Sequence, residues 1–233
     1  MSIIDTPVNT TLKLACLKSK GVTTIIRYYN FRNSNQLPEK RLLRPEAQAI
    51  AAAGLKLGAV FQQGQNSASA FSDELGFKAG VRAFTYARDE IGQPPGSAIY
   101  FSVDFDASTA QTNNRIVPFF QGVRRAFSQE SGGGPSYRVG VYGSGLVSSI
   151  LTNRGLIELT WLAMSRGFRG THEAIAAGQF HLNQVPPETT LCDRDVDFND
   201  PNPARPDFGA FTLTVTPADV AGSLATVGNI VNG

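Results

Sequence analysis

Short apolar runs rich in β-branched and aromatic residues alternate with segments of helical periodicity along almost the whole chain. Ser2–Asp5, Thr23–Tyr29, Lys56–Phe61, Ala98–Asp104, Tyr137–Tyr142, Thr160–Met164, Phe180–Gln184 and Asp195–Phe198 each read as a strand. Between them, Thr10–Lys20 carries Leu12, Ala15, Cys16 and Ser19 at helical spacing, and Arg44–Ala53 places Pro45 in a first turn. Asp73–Glu90 is the longest helical pattern; Thr109–Gln129, Gly145–Asn153 and the short His172–Ala177 complete the set. This alternation is the pattern of a parallel sheet with crossover helices, an α/β class. Eight strands favour closure into a single irregular TIM-type (β/α)8 barrel over an open doubly wound sheet. Its last helices are short or missing, because after Asn199 the run Asp200-Pro201-Asn202-Pro203-Ala204-Arg205-Pro206 cannot be helical.

The barrel is expected to occupy residues 1–207. Residues 208–233 form a tail packed on it, with Thr212–Thr216 alternating as an edge strand ahead of a Gly-rich helix of unassigned role. A length of 233 residues, 42% hydrophobic and 17% charged, suits one globular domain, and a net charge of +2 is too weak a field to imply a nucleic-acid partner. No stretch approaches the roughly 20 apolar residues of a membrane span. Met1-Ser2-Ile3-Ile4-Asp5 lacks the basic and apolar regions of a signal peptide. The chain therefore reads as soluble and without a Sec signal, either cytoplasmic or delivered outward by a non-Sec route; its oligomeric state is left open. Cys16 and Cys192 cannot build a disulfide scaffold or a four-Cys zinc site, and two buried thiols are favoured over a bridge.

The segment ending in Ser102-Val103-Asp104-Phe105-Asp106 is the sharpest chemical signal, because residues i and i+2 of a strand project from one face. Asp104 and Asp106 would then emerge side by side, and crowding would split their pKa values into a proton donor and a base, as glycosidic hydrolysis requires. The other strand ends add Asp5, Arg27-Tyr28-Tyr29-Asn30, Gln62, Tyr142, Trp161, Gln184 and Asp197. In a barrel, strand C-termini share one mouth. Carboxylates for chemistry, amides for hydroxyl groups and aromatic faces for pyranose C–H surfaces together resemble a polysaccharide site, with Arg27, Tyr29, Gln62, Tyr142, Trp161 and Gln184 as substrate-binding candidates. The plain alternatives are a loop cap or an ion site for the aspartates, with Ser108 and Thr109 capping the next helix, a structural ion pair for Arg27 and a core position for Trp161.

Other motifs fall away. Ser131-Gly132-Gly133-Gly134-Pro135 lacks the Lys-Ser/Thr of a phosphate loop, and Gly143-Ser144-Gly145 lacks the spacing of a nucleophile elbow. The Asp193–Asp200 stretch imitates a calcium loop but has Phe198 where Gly is needed and Ala204 where Glu is needed. His172 and His181 are not at zinc-ligand spacing. No metal and no cofactor are expected.

Ile4-Asp5-Thr6, Ile26-Arg27-Tyr28-Tyr29, Leu43-Arg44-Pro45-Glu46, Ile99-Tyr100-Phe101-Ser102-Val103-Asp104-Phe105-Asp106, Val139-Gly140-Val141-Tyr142-Gly143-Ser144 and Val196-Asp197-Phe198-Asn199 stand in this order along the chain. In these pieces the sequence resembles the glycoside-hydrolase-like domain first catalogued as domain of unknown function 1906, a relative of the family 25 lysozymes. The resemblance implies an irregular β/α barrel that cleaves a glycan such as peptidoglycan, with Asp5, Asp104, Asp106 and Asp197 as acids and Glu46 as a further rim residue. Where the lysozymes carry Glu as the second acid of the strand-four pair, this chain carries the shorter Asp106. The competing functions are a barrel that binds glycan without cleaving it, and a phage- or secretion-associated structural protein.

Overall fold

The computed structural model describes residues 2–214. Eight strands, β1 (Ser2–Asp5), β2 (Val22–Tyr29), β3 (Lys56–Phe61), β4 (Ala98–Ser102), β5 (Arg138–Gly143), β6 (Leu159–Leu162), β7 (Leu182–Leu191) and β8 (Arg194–Pro201), hydrogen-bond in chain order and close into a barrel. Each expected strand is present, with its ends moved by at most three residues except in β7, which runs on past Gln184 to Leu191. The first seven run parallel. β8 runs antiparallel to both β7 and β1, so the barrel is mixed and departs from the all-parallel TIM type. The cause is local. Leu191 pairs directly with Arg194 across Cys192 and Asp193, whose φ values of 54° and 57° make a two-residue left-handed turn. Such a turn matches the twist of a hairpin, whereas a parallel return needs a crossover of a dozen or more residues. The hairpin loses register between Val185 and Thr189, where Pro186 and Pro187 have no N–H to give to a ladder.

The helices lie outside the strands: α1 (Leu14–Ser19), α2 (Arg44–Ala52), α3 (Asp73–Thr85), α4 (Thr109–Gln111), α5 (Val117–Ser131), α6 (Gly145–Asn153) and α7 (Thr171–Ala176). The two longest expected helices are interrupted. α3 passes into a π-helical segment over Tyr86–Ile91, and a second one, Thr112–Ile116, separates α4 from α5 just before Pro118. There the Val117 N–H donates five residues back to the Thr112 carbonyl, and Pro118, with no N–H to give, falls in the first turn of α5 where none is required.

Strand alternation sorts the side chains into two layers. Ile25, Tyr29, Leu57, Ala59, Phe61, Ile99, Phe101, Val139 and Val141 face outward against the helices. Ile3, Ile26, Val60, Ala98, Tyr100, Leu159, Trp161 and Leu182 fill the barrel interior. Gly140 makes room for this filling: a Cβ there would lie 2.5 Å from the Tyr100 ring. At the N-terminal end, Phe208 packs on the interior cluster, Gly209 and Phe211 hydrogen-bond to Ala98 and Leu57, and Asp207 pairs with Arg138 at 2.9 Å. Thr212, Leu213 and Thr214 are irregular, and the remainder of the alternation expected over Thr212–Thr216, with the Gly-rich helix, lies outside the described residues.

The expectation of two thiols is overturned. Cys16 on α1 and Cys192 at the tip of the β7–β8 hairpin form a disulfide with a Cα–Cα distance of 6.0 Å. Their 176-residue separation in sequence hides a contact that exists because the antiparallel hairpin reaches past the barrel wall to α1. Lys13 and Asp193 pair beside it at 2.7 Å.

Candidate active site

At the C-terminal mouth, the inward-facing positions that lie above the apolar filling are polar. A cleft of about 390 Å³ opens there between Tyr28, Gln62, Ser102, Asp104, Tyr142, Trp161, Gln184 and Asp197. It continues into an outer cleft of about 410 Å³ bounded by Leu37, Lys40, Asn66, Asp104, Glu188, Asp195 and Asp197. Asp5 lies beneath the floor, with only 1% of its surface exposed.

One amide organises the floor. Gln184 Nε2 donates to Asp5 Oδ2 at 3.0 Å and to Asp197 Oδ2 at 2.9 Å, while its Oε1 accepts from the Tyr142 hydroxyl at 2.8 Å and the Met164 N–H at 3.2 Å. Asp5 stands opposite Asp197 in the β1–β8 register, so the antiparallel strand is what brings the two acids together. Asp5 also accepts from Tyr28 Oη at 3.0 Å and Asn199 Nδ2 at 2.9 Å. Burial, followed by the charge of Asp197, nevertheless pushes its pKa up to about 7. Burial and Glu188 push Asp197 up to about 6. Asp104 stands at the far side of the cleft; the walls desolvate its carboxyl and raise its pKa, with Gln62 and Lys40 pulling it back. Gln62 Nε2 donates to Asp104 Oδ2 at 3.1 Å, and Lys40 Nζ donates to Gln62 Oε1 at 2.6 Å. Trp161 donates its indole N–H to Asn199 Oδ1 at 2.7 Å and meets Tyr142 edge-on, with ring centroids 4.7 Å apart.

Of the residues expected at the site, Asp104, Asp197, Gln62, Tyr142 and Gln184 line the cleft, while Asp5 and Trp161, each 1% exposed, are buried at its base, Trp161 in the core position rather than as an open aromatic face. Four lie elsewhere. Arg27 and Tyr29 sit one residue either side of the inward Tyr28 and so face the helices. Arg27 is fully buried, holding Glu46 at 2.9 and 3.0 Å, and donates to the carbonyls of Thr6, Glu39 and Lys40. Glu46, in the first turn of α2, is 1% exposed, pairs with Arg27 and accepts from the N–H and hydroxyl of Thr10. Tyr29 donates to Gln93 Oε1 in the outer layer. Asp106 turns away because β4 ends at Ser102, and the two-residue alternation that would align it with Asp104 ends there too. It accepts the Arg169 N–H at 2.8 Å and pairs with the Arg169 guanidinium at 2.8 Å. The loop carrying Arg169 is seated against α6, where a Cβ on Gly145 would strike the Gly170 carbonyl at 1.9 Å.

Tyr28 and Asn199 stand at the strand ends where the sequence puts them, though not among its substrate-binding candidates, and Ser102 and Lys40 are site residues it does not single out. The first three were within reach of strand parity, since Tyr28 is in phase with Ile26, Ser102 with Asp104, and Asn199 with Asp197. Lys40 comes from a loop and carried no signal. Among the described residues, no three His, Cys, Asp or Glu side chains converge as metal ligands. Nor is any described helix long and apolar enough to cross a membrane.

The fold is similar to two solved structures. The Tat-secreted Mycobacterium tuberculosis protein Rv2525c, crystallised with HEPES, matches with a TM-score of 0.70 over 90% of this chain and 98% of that one at 22% identity. An uncharacterized B. stearothermophilus protein matches with a TM-score of 0.63, covering 89% and 99%, at 16% identity. In sequence, the chain is 36% identical to the uncharacterized protein YbfG of Bacillus subtilis over 163 residues, which are 68% of this chain and 22% of that relative. FadG of the same organism is 30% identical over 155 residues, 66% of this chain and 26% of the relative. The chain thus spans about a quarter of the length of these Bacillus proteins. It is 28% identical over 176 residues to the M. tuberculosis protein named "Putative peptidoglycan hydrolase Rv2525c", covering 72% of this chain and 67% of that one. The family model described as Rv2525c-like, glycoside hydrolase-like domain matches residues 15–190, and the chain belongs to that family.

Proposed function

We propose that this barrel is a hydrolase of bacterial cell-wall glycan, of the lysozyme-like class, that binds the peptidoglycan strand across the mouth described above. The observation that carries the proposal is the convergence of Asp104 and Asp197 in one cleft, with Asp5 directly beneath its floor, all three with raised pKa values and with Tyr28 and Tyr142 in the cleft wall. The family and the name of the mycobacterial relative support the substrate class. Asp197, linked to Asp5 through Gln184, keeps its proton up to about pH 6 and delivers it to the glycosidic oxygen as the C–O bond breaks. Asp104 stabilises the positive charge at the anomeric carbon, and the substrate's own acyl-amino group or water completes the displacement there. Asp106 does not serve as the acid in this scheme, because its carboxylate is committed to Arg169. The Cys16–Cys192 bridge belongs to an oxidising compartment, and together with the Tat-secreted neighbour it supports outward delivery by a non-Sec route.

That same commitment of Asp106 favours a second reading, a barrel that binds glycan without cleaving it. Co-sedimentation with purified sacculi, followed by assay of released reducing sugars, separates the two. A hydrolase sediments with sacculi and releases reducing ends, and Asp104→Asn and Asp197→Asn keep the first property and lose the second by at least about 100-fold. Binding without release at any pH from 4 to 8 would favour the binding barrel, and failure to bind would remove both.

A further inference from the structure

The cleft walls carry Asp104, Glu188, Asp195 and Asp197, with Asp5 below, and only one Lys or Arg, Lys40, among the residues that bound its two parts. Its placement is built from beneath. The Arg27 guanidinium, clamped by Glu46, donates to the carbonyls of Glu39 and Lys40 and fixes the backbone from which the Lys40 side chain leaves. The Lys40 ammonium then lies 4.6 Å from the Tyr28 ring centroid and donates to Gln62 Oε1. An ammonium has three donors. Among the described residues none of the surrounding carboxylates takes Lys40 as a direct ion-pair partner; Gln62 stands between it and Asp104. A half-buried cation held by a ring and an amide, inside an otherwise anionic cleft, is prepared for a negative group brought by something else.

We propose that Lys40 is a specificity-determining residue that receives a carboxylate carried by the glycan, so that the outer cleft selects a carboxylate-bearing strand over a neutral one. This rests on the glycan reading above and names the substrate chemistry more narrowly. The acidic walls supply the other half of the discrimination: a carboxylate placed anywhere else along the cleft meets like charge. Lys40 contacts substrate in this scheme and takes no part in proton transfer.

The test compares two probes, soluble glycan-strand fragments from sacculi and the same fragments after their carboxyl groups are amidated with methylamine. Binding is measured by calorimetry at pH 7 for the wild type, Lys40→Met and Lys40→Arg, each first checked for an unchanged melting temperature. The expected result is roughly tenfold tighter binding of native than amidated fragments by the wild type. Lys40→Met should lose that factor on native fragments alone, and Lys40→Arg should retain most of it. Equal affinity of the wild type for both probes, or an equal loss on both in Lys40→Met, overturns the inference while leaving the glycan reading in place. If the wild type binds neither probe, the glycan reading fails and the inference fails with it.

Discussion

Gln184 holds two carboxylates, a phenol and a backbone N–H with one amide, and that arrangement sets the acid–base behaviour of the floor. Asp5 and Asp197 keep their protons in the folded state to about pH 7 and about pH 6, against a value of 3.8 in the open chain. Between about pH 4 and pH 7 the folded state therefore binds more protons than the unfolded one, and stability falls as pH rises. His181 acts in the opposite sense, since burial lowers its pKa and its contribution is lost as pH drops below its ordinary 6.5. The Asp197→Asn variant isolates the carboxylate effect. Its melting temperature should decline less from pH 5 to pH 8 than that of the wild type, by about 2–4 °C for each kcal/mol removed in a chain of this size. Parallel melting curves across this range would show that Asp197 is not held protonated. The placement of Asp104, Asp197, Gln62 and Gln184 at the mouth was legible in the sequence because each ends or continues an inward-facing strand position. Arg27 and Tyr29 were misassigned because a run of four polar and aromatic residues at the end of β2 does not say which alternate member faces the mouth.

At the scale of elements, two contacts decide whether the site is assembled. The first is the buried Arg27–Glu46 pair, which joins β2, the start of α2 and the loop that carries Lys40. Removing one partner leaves the other charge desolvated and unpaired, so Glu46→Ala should lower stability by about 3–5 kcal/mol in denaturant titrations. Unchanged stability would contradict the structural role given to Glu46. The second is the hairpin of β7 and β8, which contributes Gln184, Asp197 and Asn199 and is tied to α1 by Cys16–Cys192. A bridge that closes so long a loop constrains the unfolded chain strongly. Replacing both cysteines with serine should cost about 2–5 kcal/mol, measured against the oxidised wild type. A double variant as stable as the wild type would mean that the hairpin does not depend on the bridge. Neither contact was readable from local pattern. The pair joins positions 19 residues apart through a fold not yet formed, and the bridge joins positions 176 apart.

For the molecule as a whole, hydrophobic alternation was sufficient to give eight strands, their order and their closure, because each run must bury one face inside and one beneath helices. It was not sufficient to give the direction of the last strand, which depends on a two-residue turn at Cys192 and Asp193, neither of them a glycine. That reversal shapes the mouth, since it is the antiparallel β8 that sets Asp197 opposite Asp5. The central claim is that this mouth holds a glycan between Asp104 on one side and Asp197 on the other. A crystal structure of the Asp104→Asn variant soaked with a muropeptide-bearing glycan fragment tests it most directly. The account predicts a sugar ring in the cleft, its C–H face on Tyr28 or Tyr142 and its glycosidic oxygen within hydrogen-bond reach of Asp197. A fragment bound at the opposite end of the barrel, or lying against Asp106 and Arg169 with the cleft empty, would contradict it.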